Sequence, residues 1–328
     1  MLFVPRRRTT FLFLLHSSAL LAGCGGGKSA GPTAPTVATA PAVPTALSVV
    51  SAETGVGISG AASVIAGQSG RTDAQGQVAV PGGAGAGVFV DLIAPGFLDR
   101  QTNLRAGGSS ARLSLWPRTS GTGLDENFTA VLVYTSTADG STIGALPLRR
   151  HRAGITMVSI VLADSLLADP AAMANHQFAA DVLTAAVAGK VAYRVTPQAA
   201  AGSTIVNVSY EPGNAGCDDR TRAFTTIRLS GGEITSGTIV YCVPDAPRSP
   251  TVIHELGHTF GLLHSPNRTD LMYSTFVSDR SDVLTPRETL AMRLMLERSG
   301  GTRFPDNDRD TSGVTSSEAN GVQTIRCR

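Results

Sequence analysis

The sequence predicts a multidomain protein in which a small all-β sandwich precedes a larger α+β domain. Residues 47–118 are short alternating apolar runs broken by glycine-rich turns, a pattern typical of antiparallel strands. Residues 119–328 instead combine β-branched apolar runs with segments of helical periodicity. With 328 residues, of which 42% are hydrophobic, the chain is long enough to bury a core in each part.

The first 24 residues predict a lipoprotein signal peptide. Three arginines at residues 6–8 precede the apolar run FLFLLHSSALLAG, which is too short to span a membrane. Residues 21–24, Leu-Ala-Gly-Cys, resemble the bacterial lipobox, and this implies that Cys24 is lipidated and anchors the chain to a membrane. No acidic residue directly follows Cys24, so we expect the bacterial cell envelope, at the outer membrane or cell surface. The alternative is an ordinary signal-peptide cleavage site with an incidental cysteine.

Residues 25–46 are mostly Gly, Ala, Pro, Thr and Val and predict a flexible linker. The following residues 47–118 contain the turn segments Thr-Asp-Ala-Gln-Gly and Ala-Pro-Gly-Phe at residues 72–76 and 94–97. In this order they resemble a carboxypeptidase-regulatory-like domain. Nothing in the segment suggests catalysis, so we expect a spacer, with binding of a glycan or a protein as the alternative.

The α+β part alternates predicted strands with predicted helices. Thr285, Pro286 and Glu288 supply an N-cap, a first-turn proline and a capping-box glutamate. They predict a helix that runs to about Arg298. The other elements are predicted from apolar periodicity and turn signals: strands at residues 155–162, 204–210, 223–229 and 233–242, and a helix around residues 176–191.

The segment HELGHTFGLLH carries the chemistry that the sequence predicts. On a helix, His254 and His258 lie one turn apart, so both imidazoles can hold corners of one zinc tetrahedron. Gly261 can adopt a positive φ and end the helix, and the turn then brings His264 back as third ligand. Glu255 lies beside them as a general base for the attacking water and a general acid for the leaving amine. Three protein ligands leave one corner open, as in a catalytic zinc site.

Farther along, Leu271, Met272 and Tyr273 resemble the Met-turn that runs beneath the zinc in metzincin peptidases. Together with HELGHTFGLLH and the following Ser265, they are most similar to the matrixin branch, although Ser274 stands where that branch often has proline. The resemblance implies a zincin-like fold with a twisted mixed sheet and three main helices. It also implies a zinc-dependent endopeptidase that binds one catalytic Zn²⁺ and hydrolyses proteins or peptides. Met272 would form the floor of the site, and Tyr273 would pack below the zinc, with binding of the oxyanion as its alternative role.

Three cysteines remain beyond the lipobox. In an oxidising compartment, a disulfide between Cys217 and Cys242 would brace the sheet edge beside the cleft. Cys327 can instead pair with either of them, and the sequence does not choose among these pairings. No cysteine lies between Cys24 and the predicted catalytic domain, so a propeptide cysteine of the matrixin kind is not expected to cap the zinc.

Several other polar residues are expected to lie outside the site. Asp306, Asp308 and Asp310 alternate as in a calcium loop, but the glycine and closing glutamate of such a loop are out of register. A solvated acidic tail is therefore expected, and calcium is only a weak alternative. His151 and His176 are expected to be core or surface residues and not additional zinc ligands.

Composition limits the possible partners. The net charge is +2 and no basic patch has interleaved aromatic residues, so a nucleic-acid partner is not expected. We expect a monomer that meets a protein or peptide substrate and is held to a membrane by its lipid. The alternative function is a surface binding protein or adhesin on a degenerate metallopeptidase scaffold. Glu255 favours the enzyme, because a structural zinc needs no base.

Overall fold

The computed structural model describes residues 44–82, 87–104, 110–119, 134–136, 142–145, 148–265, 267–275, 281–301, 306–307 and 316–327. The chain divides into two units, Met1–Ala40 and Pro41–Arg328, and the described residues all belong to the second. The predicted signal peptide, Cys24 and most of the predicted linker lie outside the described residues. Asp308 and Asp310 lie outside them as well.

The first part of the described chain contains two small sheets. Its strands are β1 (Ala46–Ser51), β2 (Ala62–Ile65), β3 (Gln68–Arg71), β4 (Gln77–Ala79), β5 (Phe89–Ile93), β6 (Arg100–Asn103) and β7 (Ser110–Leu115). One sheet has the order β4-β1-β7 and the other the order β3-β2-β5-β6. The pairings are antiparallel, as predicted, except that β1 and β7 run parallel. That exception is possible because β7 returns from the other sheet and is not joined to β1 by a hairpin.

Both small sheets contribute to one hydrophobic core. Leu47 of β1, Val90 of β5 and Leu115 of β7 are fully buried in it. Strands β1 and β5 largely alternate buried and more exposed positions, which is the pattern that the sequence shows. The proposed division into domains at residues 47–118 and 119–328 stays a prediction.

The second part is built on a mixed sheet. Its strands are β10 (Arg150–His151), β11 (Met157–Leu162), β12 (Ala192–Val195), β13 (Thr204–Tyr210), β14 (Ala223–Ser230), β15 (Glu233–Tyr241) and β16 (Gly321–Cys327), and a separate hairpin is formed by β8 (Tyr134–Ser136) and β9 (Thr142–Ala145). The sheet order is β12-β11-β13-β15-β14-β16, and β10 pairs with β15. Strands β10 to β13 and β15 pair in parallel, whereas β14 is antiparallel to both neighbours. The predicted strands are confirmed, and β16 was not predicted.

The helices are α1 (Asp164–Leu167), α2 (Pro170–Ala186), α3 (Ser249–Phe260), α4 (Pro286–Glu297) and α5 (Ser316–Ala319). Helix α4 begins at the predicted capping box, with Thr285 and Glu288 bonded reciprocally. The prediction of a helix over residues 176–191 was wrong at both ends. The helix begins earlier because Asp169 caps it before Pro170, a start signal that apolar periodicity does not detect. It ends earlier because Ala188 has a φ of 52°, which is not helical.

None of the helices in the described part of the chain is both long and apolar enough to cross a membrane.

A buried arginine links the end of α4 to the first part of the chain. The Arg298 guanidinium is fully buried and donates to Asp306 Oδ1 at 2.6 and 2.9 Å and to Ser114 Oγ at 3.2 Å. Arg100, also buried, donates to the backbone oxygens of Ser114 and Glu297 at 2.8 Å. Asp306, which was considered for a calcium loop, therefore has its carboxylate engaged by an arginine.

Candidate metal centre

Helix α3 presents the first two histidines of the motif. Every residue from Thr251 to Phe260 is buried, so the helix runs through the core between the mixed sheet and the other helices. It ends at Gly261, whose φ of 115° is left-handed. A Cβ at Gly261 would lie 2.2 Å from the backbone oxygen of Arg149, so a side chain does not fit there. The turn sends the chain back and places His264 beside the helical histidines.

Four metal-ligating side chains converge in the interior. The Cys327 Sγ lies 3.2, 3.4 and 3.6 Å from the Nε2 atoms of His254, His258 and His264. The Nε2 atoms of His254 and His258 are 3.1 Å apart. One ligand atom from each of the four residues lies within 4.8 Å of all the others, and all four residues are buried. This buried group of three histidines and one cysteine can bind a metal ion.

Backbone carbonyl groups fix the orientation of two of the rings. His254 Nδ1 lies 2.7 Å from the Leu271 oxygen, and His258 Nδ1 lies 2.7 Å from the Leu262 oxygen. A carbonyl oxygen only accepts, so each Nδ1 carries the hydrogen and each neutral ring directs an Nε2 lone pair inward. Two such lone pairs at 3.1 Å repel each other unless a cation lies between them. The tautomers therefore favour a bound metal ion.

The distances between the ligand atoms also match a tetrahedral ion. For zinc, the usual bond lengths place two histidine nitrogens about 3.3 Å apart and a nitrogen and a thiolate sulfur about 3.6 Å apart. The observed separations of 3.1 Å between nitrogens and 3.2–3.6 Å from sulfur to nitrogen lie close to these values. The residues present thus fit a divalent metal held by three nitrogens and one sulfur.

Glu255 lies next to these histidines on α3 and contacts the antiparallel strand β14. Its carboxylate is fully buried, and Thr225 Oγ1 donates to Glu255 Oε2 at 2.6 Å. The charge of Glu255 also adds to burial in raising the pKa of the Tyr241 hydroxyl. The hydroxyl of Thr225 thus holds the acid in one orientation against the strand.

The predicted Met-turn runs against α3. Met272 is buried, and a Cβ on Gly257 would lie only 2.7 Å from its Sδ atom, so the absence of a side chain at Gly257 leaves room for the sulfur. The Met272 N–H donates to Glu288 Oε1 at 2.7 Å, and its carbonyl oxygen accepts from the Ser265 N–H at 2.7 Å. The same segment supplies the carbonyl group that orients His254. Burial, followed by the nearby Asp270 carboxylate, raises the pKa of Glu288.

An ion pair between Asp270 and Arg287 holds the start of this segment to α4. The Asp270 side chain is fully buried, accepts from Arg287 Nε at 2.7 Å and is contacted by the Ser265 hydroxyl. Tyr273 forms an isolated parallel bridge with Ser265 and is partly buried. The structure places Tyr273 in the turn itself, one residue beyond the methionine that contacts the helix.

Within the described part of the chain the structure forms one disulfide, and it is one of the pairings that the sequence left open. Cys217 and Cys242 are bonded with Cα atoms 5.4 Å apart, which joins the loop before β14 to the residue after β15. Cys327 is not in a disulfide, so the alternative pairings are excluded. Sequence reasoning missed its place among the histidines. The available signal was that Cys327 is left over once Cys217 and Cys242 pair, since an odd cysteine in a chain with a predicted export signal can be a functional thiol.

Comparison with known proteins adds little to this geometry. No family model matches the chain, and no curated protein matches it. Among solved structures, metalloproteinase-II from Bacteroides fragilis is similar over 76% of this chain and 98% of its own, at 10% identity and a TM-score of 0.28. At so low a TM-score, the chemistry of the site has to be inferred from its own side chains.

Proposed function

We propose that this chain is a zinc-dependent endopeptidase of the metzincin type. The observation that carries the proposal is the convergence of the His254, His258 and His264 Nε2 atoms beside Glu255 on the same helix. These histidines would hold Zn²⁺, with Met272 packed beneath α3. When bound, zinc supplies Lewis acidity, which polarises a carbonyl group and eases the deprotonation of water.

The chain's own residues would handle the proton and the substrate. Glu255 takes a proton from the attacking water on its carboxylate and later gives it to the leaving amine. Thr225 keeps that carboxylate in place through its 2.6 Å hydrogen bond. The backbone carbonyl groups of Leu271 and Leu262 keep the Nε2 atoms of two ligands directed inward.

Burial of Cys327 among the histidines favours a second candidate. Four protein ligands leave no corner for water, which is the pattern of a structural zinc site. The protein would then be a surface binding protein or adhesin on a metallopeptidase scaffold. This candidate leaves the buried Glu255 carboxylate without a role in chemistry, whereas the peptidase uses it.

We further propose a lipid anchor at Cys24 and a location at the bacterial cell envelope, on the outer membrane or the cell surface. The substrate would be a protein or peptide, and the protein would act as a monomer without a nucleic-acid partner. Metabolic labelling with a radioactive fatty acid tests the anchor: label should enter the chain and be absent from Cys24→Ser.

Cleavage of a mixed peptide library by the zinc-loaded chain tests the enzymatic proposal. It should be measured in the chain itself and in a Cys327→Ala background, because Cys327 would act as a fourth ligand to the zinc. Glu255→Gln keeps the shape of the side chain and an acceptor for Thr225, and we expect it to lower turnover by about 10²- to 10⁴-fold with zinc content unchanged. Turnover that survives Glu255→Gln or 1,10-phenanthroline would exclude this mechanism.

A further inference from the structure

Strand β16 brings its last residue, Cys327, into the ligand cluster from the edge of the mixed sheet. We infer that β16 is a built-in inhibitor of the site: Cys327 blocks the ligand cluster, and the site gains activity when Cys327 is withdrawn, as it would be if β16 left β14. This inference rests on the proposed peptidase function. Its basis is the distance of 3.2–3.6 Å from Cys327 Sγ to all three histidine Nε2 atoms.

With a metal ion bound by the three histidines, the Cys327 sulfur would take the remaining ligand position, which catalysis requires for water. The three histidines account for three positions of a tetrahedral ion, and water has to enter the fourth for hydrolysis. The Cys327 sulfur, at 3.2–3.6 Å from the three nitrogens, would be a fourth ligand to such an ion and would exclude that water. Cys327 is buried and outside the disulfide, so its position is not explained by another bond to sulfur.

The way in which β16 is held makes it removable. Among the strands that the structure describes, β16 lies at the edge of the sheet and pairs with β14 alone, with Cys327 opposite Ala223. Of its seven residues, only Ile325 and Cys327 are buried, so most of its attachment is the backbone ladder. The Arg222 N–H donates to the Cys327 carbonyl oxygen at 3.0 Å and ends that ladder beside the metal centre. Few core side chains would be uncovered if the strand left.

Departure of β16 would also expose the backbone edge of β14. Strand β14 carries Thr225, the partner of Glu255, and would become the open edge of the sheet. The unpaired N–H and C=O groups of such an edge bind an extended peptide by adding it as a strand. An extended substrate and β16 would therefore compete for one edge, and β16 acts as an internal substitute for the substrate.

Cobalt substitution tests the thiolate ligand without relying on activity. The full chain loaded with Co²⁺ should show thiolate-to-cobalt charge-transfer absorption, and Cys327→Ser should lose that band while still binding one cobalt ion. Arg326→Ala, a change at the exposed neighbour on the same strand, should keep it. A wild-type spectrum without the band, in a chain that binds cobalt, overturns the inference.

Thiol alkylation provides the same test on the unaltered protein. N-ethylmaleimide should modify Cys327 slowly in the zinc-loaded chain and at least tenfold faster after the zinc is chelated, with the site of modification read by mass spectrometry. Equal rates with and without zinc would show that the metal does not hold the sulfur, and would overturn the inference even if the variants fail to fold.

Peptide cleavage then separates inhibition from the function on which it rests. At equal zinc content, Cys327→Ala should hydrolyse the peptide library at least tenfold faster than the wild-type chain or Arg326→Ala. Equal, Glu255-dependent turnover in all three leaves the peptidase proposal standing and overturns the inhibitory role of β16. No turnover in any of them, with zinc bound and the cobalt band present, overturns both and supports the four-ligand structural site.

Discussion

The buried histidines of this protein fall into two groups with opposite surroundings. In the metal centre, His254 and His258 direct their Nε2 atoms toward each other at 3.1 Å. Elsewhere in the core, His151 and His176 direct their Nε2 atoms to the hydroxyl groups of Tyr193 and Tyr241, at 2.7 and 3.1 Å. Burial alone therefore does not identify a ligand. What identifies it is that the inward nitrogen faces other acceptors and not a hydroxyl donor.

The largest expected effect separates the two groups by metal binding. His258→Ala should lose zinc, and its stability should no longer respond to zinc or chelator. In the wild-type chain, zinc at about a thousand times its dissociation constant should add about 4 kcal/mol to the free energy of unfolding. Denaturant titration with and without chelator, together with metal analysis, measures both quantities.

His176→Gln is the matched control for this difference. It removes the bond to Tyr241 from an equally buried histidine and should cost about 1–2 kcal/mol of stability with zinc content unchanged. A His176 variant that loses zinc, or a His258 variant that keeps it, would remove the distinction between the two groups.

The sequence predicted the local part of the metal centre and missed its long-range part. The helical repeat brings His254 and His258 together, and the glycine stop after the helix returns the chain so that His264 joins them. Cys327 lies 63 residues beyond the last of these in sequence, on an edge strand that only sheet pairing brings to the site. No local pattern encodes that pairing, so the position of Cys327 among the histidines could not be derived from the sequence.

The fold likewise divides into elements that local sequence signals predict and strand pairings that they do not. Strands such as Thr204–Tyr210 and the capped helix Pro286–Glu297 were predicted because their signals are short and local. The parallel pairing of β1 with β7 and the addition of β16 to β14 depend on contacts far apart in sequence. The start of α2 was missed for a different reason, since its Asp169-Pro170 signal is local and was overlooked in favour of periodicity.

A second prediction uses the pH response of the core histidines. Burial lowers the pKa of His151 to about 4, so the unfolded chain binds more protons than the folded chain between about pH 6.5 and 4. The contribution of the neutral His151 ring to the free energy of unfolding is complete above pH 6.5. It falls as the pH drops and has decreased by about 3 kcal/mol at pH 4. His151→Gln should remove that part of the slope. Urea titrations of both zinc-free chains at several pH values measure it, and an identical slope in the two would contradict the prediction.

A third prediction concerns how the segment that orients His254 is itself held in place. Glu288 binds the Met272 N–H and the Thr285 backbone N–H and hydroxyl, and so connects α4 to the segment that orients His254. Glu288→Ala should lower stability by about 2 kcal/mol and weaken zinc binding by about 10-fold, as loss of an outer support does at other metal sites. Thermal unfolding and competition with a zinc indicator measure these changes. Glu288→Gln, which keeps one acceptor, should lose less; a larger loss than in Glu288→Ala would contradict this explanation.

The smallest expected effect concerns the hydrogen bond from the Thr225 hydroxyl to the Glu255 carboxylate. In the core, tyrosine hydroxyls hold neutral rings, whereas in the metal centre Thr225 holds the Glu255 carboxylate. In the Cys327→Ala background, Thr225→Val should lower turnover about tenfold, equivalent to about 1.4 kcal/mol of barrier, because the base loses its orientation. Thr225→Ser should restore most of the turnover, since the hydroxyl returns.

Thr226→Val is the matched control. It alters the next residue of β14, whose hydroxyl lies 3.0 Å from that of Thr324, and should leave turnover within about twofold of its background. If Thr226→Val slowed peptide cleavage as much as Thr225→Val at equal zinc content, the loss would come from the strand as a whole and not from the hydrogen bond to Glu255.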